Sequence, residues 1–302
     1  MGYHKPALLH ESIEGLNIRP EGTYIDLTFG GGGHSLEVLR KLGKKGRLVA
    51  FDQDEDALAN VPKDKRLIFV GANFRYLKHY LRYHAIGKVD GILADLGISS
   101  HQIDIPERGF SFKSEAALDM RMAGRAGTTA SRILNESSLD RLTWIFRTYG
   151  ELSNARALAR AIEQARAEKD LLSTGDLEQV LKRFIPRTGP SKFLAKVYQA
   201  LRIEVNQEME ALGEMLEQTT DALAEGGRLV VISYHSVEDR LVKNFMRSGN
   251  LEGDIEKDFY GKMLTPWTLV NRSVITPSAE ELEENNRARS ARLRIAERKS
   301  NG

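Results

Sequence analysis

Three acids close short apolar runs in this chain: Asp26 after Tyr24-Ile25, Asp52 after Arg47-Leu48-Val49-Ala50-Phe51, and Asp95 after Ile92-Leu93-Ala94. An apolar run that ends in an acid reads as a strand whose carboxyl end carries a hydrogen-bonding anion. The first of them leads directly into Leu27-Thr28-Phe29-Gly30-Gly31-Gly32-Gly33-His34-Ser35. Glycine is costly in backbone entropy, so four in succession call for a turn of unusual φ/ψ or the close approach of a ligand to backbone. Asp52 follows Gly33 by 19 residues. That interval suits a carboxylate accepting from the ribose hydroxyls of a nucleotide-like cofactor.

The glycine register narrows the cofactor. A dinucleotide loop needs G-x-G-x-x-G, but counting from Gly30 puts Ser35 in the third place, and counting from Gly31 puts Leu36 there. The methyltransferase pattern acid-x-Gly-x-Gly-x-Gly fits better, as Asp26-x-Thr28-x-Gly30-x-Gly32, with Thr28 in the first glycine place. S-adenosylmethionine has no pyrophosphate, so such a loop needs only to let the cofactor lie against backbone. A plain surface turn would explain the glycines but not the two acids.

Asp95 opens the polar stretch Leu96-Gly97-Ile98-Ser99-Ser100-His101-Gln102. At the end of a parallel strand this stretch lines the place where a methyl acceptor would arrive, although Asp95 could also serve as the cap of a following turn. Ser233-Tyr234-His235-Ser236-Val237-Glu238-Asp239-Arg240 reads as half site wall and half helix start, with Ser236-x-x-Asp239 as the cap.

Absences restrict the reaction. Methylation at carbon 5 of a pyrimidine generally uses a cysteine nucleophile, and the chain has no cysteine. Asn or Asp followed by Pro-Pro-Tyr or Pro-Pro-Phe, frequent in amino-methyltransferases, is missing as well. The lone pair of an exocyclic amine is conjugated into its ring, so an acceptor must draw on the N–H groups; Asp95 and Ser99 are the acceptors at hand. No histidine pair has metal-binding i, i+4 spacing, so no metal is expected. His34 is expected as a wall of the cofactor site or a first-turn residue rather than a base.

These residues require a scaffold. Strand patterns recur at Arg66–Gly71 and Val89–Asp95, with a helical pattern at Phe74–Ala85 between them, which implies a parallel sheet. The rhythm then changes to a loop-like Glu107–Thr129 and helical patterns at Leu139–Tyr149, Asn154–Lys169 and Thr174–Phe184. After the breaker Ile185–Pro190, one long helix is expected to about Ala224, then a strand at Gly226–Ser233. Leu269–Ile275 and Ala291–Ala296 are expected as an antiparallel hairpin, and Glu280–Asn286 as an exposed helix or loop. The expected fold class is α/β, a Rossmann-like class I methyltransferase sheet with an inserted all-helical domain: sheet domain 1–105, insertion 106–205, sheet domain 206–302.

Composition agrees with a globular protein in a reducing compartment: 302 residues, 41% hydrophobic, 28% charged, without cysteine. No apolar run reaches membrane-spanning length and the N-terminus lacks a signal-like core, so a cytoplasmic protein is expected. The net charge is +2, but Pro106–Val205 holds 17 Lys and Arg against 12 Asp and Glu. An excess of that kind on one segment hints at a polyanionic partner.

Taken together, the motifs resemble the bacterial ribosomal RNA small-subunit methyltransferase H family over nearly the whole chain. The resemblance rests on His4–Leu9, Gly15–Pro20, Asp26–Ser35, Asp95–Ser100, Arg108-Gly109-Phe110-Ser111-Phe112 with Leu118–Met122, Ser233–Arg240 and Arg287–Ser290. It implies S-adenosylmethionine as cofactor and methylation of the exocyclic N4 of a cytidine in the decoding region of 16S rRNA within the small ribosomal subunit. It also implies cofactor contacts at Gly32, Gly33, His34, Asp52, Phe74, Asp95 and Gln102, with a homodimer left open. Arg108, Lys113, Arg121, Arg125 and His235 are candidates to hold RNA. His101 stands where the family often has proline, Gly31 where it has a basic residue, and Tyr234 where it has phenylalanine. Competing readings are a class I methyltransferase for another RNA, a protein or a small-molecule amine, and an RNA-binding module without catalysis. Residue type alone does not separate service to the cofactor from service to the amine at Asp95.

Overall fold

A computed structural model describes residues 6–124 and 127–300, which fall into two compact units. One runs up to Gly97 and resumes at Glu210; the other is Ile98–Met209.

The first unit is a seven-stranded sheet. Its strands are β1 (Thr23–Asp26), β2 (Arg47–Phe51), β3 (Leu67–Val70), β4 (Val89–Asp95), β5 (Leu223–Ser233), β6 (Trp267–Leu269) and β7 (Arg292–Arg298). They lie in the order β3-β2-β1-β4-β5-β7-β6, with β7 antiparallel to both neighbours and the other pairings parallel. Leu48–Phe51 and Gly91–Ala94 are buried without alternation, as strands covered on both faces must be. Because β2, β1 and β4 are parallel neighbours, their carboxyl ends share one edge, and Asp52, Asp26 and Asp95 come with them.

The helix Gly33–Lys41 buries His34, Ser35, Val38 and Leu39 and ends on Arg40 and Lys41, cations suited to a helix C-terminus. The helix Ser236–Ser248 buries Val237, Val242, Phe245 and Met246 and stops at Gly249, φ +87°. Its cap differs from the expected Ser236-x-x-Asp239 pair by one residue. His235 is the N-cap and Glu238 closes the reciprocal box, while Asp239 instead accepts from Arg294 and Arg292 on β7.

The expected final hairpin also shifts. Its first strand is only Trp267–Leu269, and Ile275 makes just an isolated bridge with Leu293. The acidic segment after it forms the short helix Ala279–Glu284.

The second unit is helical: Ala130–Glu136, Leu139–Thr148, Ala155–Glu168, Thr174–Leu181 and Pro190–Asn206, besides short turns. Thr129, Ser138 and Ser173 cap three of these with side-chain oxygens that accept from the first turn, each cap worth about 1 kcal/mol. Leu158, Ala159 and Ile162 form the buried stripe of Ala155–Glu168, while Leu142, Ile145 and Phe146 do so for Leu139–Thr148. The single helix expected from 190 to 224 breaks at Gln207, φ +50°, and resumes as Glu208–Ala222.

Candidate active site

The site of the sheet unit is built where β1, β2 and β4 end. Asp26 is 1% exposed; its carboxylate accepts from the Thr28 N–H at 3.1 Å and the Ser35 hydroxyl at 2.7 Å. These bonds clamp the glycine loop between strand and helix. Burial pushes its pKa up to about 6, against those two hydrogen bonds.

Gly30 and Gly32 both adopt left-handed backbone, φ +51° and +80°. A side chain at Gly30 would meet nothing within 4 Å, whereas a Cβ at Gly32 would stand 2.9 Å from the Phe29 ring. Gly32→Ala is therefore expected to cost about 1–2 kcal/mol for the backbone alone, with the Phe29 clash added. Thermal denaturation should register it as about 2–4 °C of Tm for each kcal/mol. An unchanged Tm would show that the loop can adopt another path.

Asp52 accepts from the Gly30 N–H at 2.7 Å through Oδ2 and from the Asp54 N–H at 2.8 Å through Oδ1. Each oxygen keeps a second lone pair for a ligand hydroxyl. Burial raises its pKa. Beside it Gln53 accepts from the Asn73 side chain at 2.8 Å, which ties this end of β2 to the turn that presents half-buried Phe74.

Asp95 is held from both ends. Its N–H donates to the Thr28 hydroxyl at 2.7 Å, and its Oδ1 accepts from the Tyr234 hydroxyl at 2.8 Å. The side chain keeps 21% of its surface open. Its pKa is pushed up to about 7 by burial, opposed by the Tyr234 bond and reinforced by Asp26 and Glu238. His34 Nδ1 lies 3.8 Å from Asp95 Oδ2. Burial lowers the histidine pKa to about 4, with a hydrogen bond to the Ala7 backbone opposing. The imidazole is thus neutral near pH 7, and the contact is not an ion pair. Its Nε2 is buried with no hydrogen-bond partner among the described residues.

Three buried or half-buried acids, two glycines with positive φ and an unpartnered ring nitrogen make a set that fits a cationic sulfonium nucleoside. The acids complement its charge and its hydroxyls, and the backbone at Gly30 is open for contact.

Ser99 and Gln102 belong to the helical unit, where they form a reciprocal cap. The Gln102 N–H donates to Ser99 Oγ at 3.2 Å, and Gln102 Oε1 accepts from the Ser99 N–H at 3.1 Å. Gln102 is 5% exposed, so its amide serves this turn.

Three of the expected RNA contacts are bonded within the protein. Arg108 Nη2 donates to the carbonyls of Arg121 and Met122, at 3.2 and 2.9 Å. Arg121 is forked onto the Asp119 carboxylate, its own neighbour two residues back. The His235 side chain is 8% exposed and engaged with Glu238 as a helix cap. Lys113 is exposed, and Arg125 lies outside the described residues. Reasoning from sequence missed the roles of Thr28, Tyr234 and Glu238. The acceptor at Tyr234 N–H, Glu238 Oε2 at 2.9 Å, becomes visible only once the cap is placed at His235.

Comparison with known proteins points to one family. The profile of the MraW methylase family matches residues 1–299. A protein named ribosomal RNA small subunit methyltransferase H from Bacteroides thetaiotaomicron is 58% identical over 297 residues, 98% of this chain and 98% of that protein. Its namesake in Flavobacterium johnsoniae is 54% identical over 298 residues, covering 99% and 98%. Another, from Cytophaga hutchinsonii, is 56% identical over 299 residues, covering 98% and 99%.

Proposed function

The chain belongs to the MraW methylase family, and we propose from that premise that it methylates the exocyclic N4 of a cytidine in the decoding region of 16S rRNA, with S-adenosylmethionine as donor. The observation that carries this reading is Asp95: a half-open carboxylate fixed by Thr28 and Tyr234 beside the glycine loop.

When bound, the cofactor supplies a methyl group made electrophilic by its sulfonium. Asp52 would hold its ribose hydroxyls, with the backbone at Gly32 and Gly33 and the rings of His34 and Phe74 around the rest. Asp95 Oδ1 is taken by Tyr234, which leaves Oδ2 to accept from the cytidine amine. That hydrogen bond draws the nitrogen lone pair out of ring conjugation, and the same oxygen can hold the proton that the amine loses. Positioning dominates such a transfer, since a well-oriented pair of reactants removes about 7–11 kcal/mol of barrier. The helical unit is proposed to recognise the ribosomal substrate. No helix among the described residues is long and apolar enough to cross a membrane. The cytoplasm, where bacterial ribosomes are assembled, is the proposed location.

Labelled S-adenosylmethionine mixed with the protein and small ribosomal subunits lacking the mark should place one methyl on the RNA. No transfer to subunits or naked RNA across a range of salt would refute the reading.

Tyr234 makes a separate prediction. Its hydroxyl lowers the Asp95 pKa from where burial alone would hold it. Transfer needs the carboxylate form, so activity should rise with pH through about 7. Tyr234→Phe should shift that rise to higher pH, so the loss is greatest on the acid side and recovers in alkali. A single-turnover pH profile with an unmoved midpoint would show that Asp95 does not set the pH dependence.

A further inference from the structure

The helical unit carries a cavity of about 550 Å³ lined by Arg156, Ala157, Arg160, Gln164, Arg183 and Phe184. None of its cations was singled out by the motifs. Arg156, Arg160 and Gln164 recur at four-residue intervals on the helix Ala155–Glu168, opposite the buried stripe of Leu158, Ala159 and Ile162. The helical rise sets successive members about 6 Å apart along the axis, an interval suited to neighbouring phosphates of one nucleic-acid strand. Arg183 comes from the turn Lys182–Phe184, with its guanidinium 5.1 Å from the centre of the Phe184 ring. That contact presents a flat cation able both to fork onto phosphate oxygens and to lie against a base.

The charges in this groove are poorly compensated. Arg156 lies 3.7 Å from Asp140, and both side chains are more than half exposed, so the pair is weak. Neither Arg160 nor Arg183 forms an ion pair with a described residue. Glu163, exposed on the same helix, does not line the cavity. Three guanidinium groups around one concavity repel one another unless an anion sits between them, and an arginine fork matches phosphate geometry.

We propose that this groove binds the phosphodiester backbone of the substrate RNA, with Arg156, Arg160 and Arg183 as its phosphate contacts. The proposal rests on the functional reading above and extends it to a surface of the helical unit. The groove fixes where the RNA strand runs and carries affinity rather than chemistry.

The test uses the full-length protein and a variant combining Arg156→Gln, Arg160→Gln and Arg183→Gln. Binding is measured to a single-stranded RNA containing the target cytidine and to small subunits lacking the mark, over a salt series, alongside S-adenosylmethionine affinity. The variant should bind both RNA forms at least about tenfold more weakly, with a salt slope shallower by about 2, the share of three lost single-strand phosphates. Cofactor affinity should not change, and the matching triple Lys variant should recover most of the binding. RNA affinity and slope equal to the unaltered protein, with cofactor binding intact, would overturn the groove and leave the functional reading standing. A loss confined to subunits, with naked RNA bound normally, would also overturn it, in favour of an acidic protein surface. An unaltered protein that binds cofactor but transfers no methyl to any RNA would refute the functional reading itself.

Discussion

Asp95→Ala is expected to lower methyl transfer about a hundredfold or more, the span that one positioned proton acceptor contributes. Two losses combine in that figure. The amine loses the acceptor that loosens its lone pair, and the departing proton loses its nearest carboxylate. Asp95→Asn separates them, because an amide oxygen still accepts one hydrogen bond but takes no proton at neutral pH. Asn should therefore sit between Ala and the native residue in kcat. The Thr28 bond runs to the Asp95 backbone N–H and survives both changes, whereas Asp95→Ala strips the Tyr234 hydroxyl of its acceptor, so Asp95→Asn is the variant that keeps the surroundings intact. Single-turnover rates at saturating RNA and cofactor provide the check. If Asp95→Ala changed KM for S-adenosylmethionine alone, with kcat intact, Asp95 would belong to cofactor binding and not to the reaction.

Asp52→Ala should act on the donor instead, weakening S-adenosylmethionine binding by about a hundredfold. Hydrogen bonds to a charged acceptor are worth about 1.5–3 kcal/mol each, and Asp52 has lone pairs to spare for two hydroxyls. The same change strips the Gly30 N–H of its acceptor at 2.7 Å, so the loop itself loosens. Asp52→Asn keeps an acceptor for Gly30 and should lose less. Calorimetry reads both affinities directly. Equal affinity in the native protein and Asp52→Ala would place the ribose elsewhere and remove the case for a strand-end donor site.

The contrast between these residues shows what a sequence discloses. Asp26, Asp52 and Asp95 were legible because each terminates an apolar run, and parallel strands must bring such ends to one edge. The order of β5, β7 and β6 was half legible. The final antiparallel pairing could be expected, but Trp267–Leu269 supplies the strand because its partners Ala296–Arg298 lie opposite it, while Ile275 only bridges Leu293. No local signal marks Gln207 as the break between two helices, since glutamine carries no preference for φ +50°.

Arg108 and Arg121 illustrate a different blindness. A cation in a basic segment looks free until the fold supplies carbonyls and a neighbouring carboxylate to absorb it. The arginines at 156, 160 and 183 look no different in sequence, and only the packing of one helix beside a later turn gathers them around a groove. The Tyr234 hydroxyl belongs to the same class, because its partner lies 139 residues away in the chain.

The most direct measurement is mass mapping of the modified nucleotide. After reaction, 16S rRNA from subunits lacking the mark is digested, and the methylated nucleoside is located and fragmented. The expected product is one cytidine from the decoding region carrying a single methyl on its exocyclic amine. A methyl on carbon 5, on the ribose or on a different base would contradict the role given to Asp95.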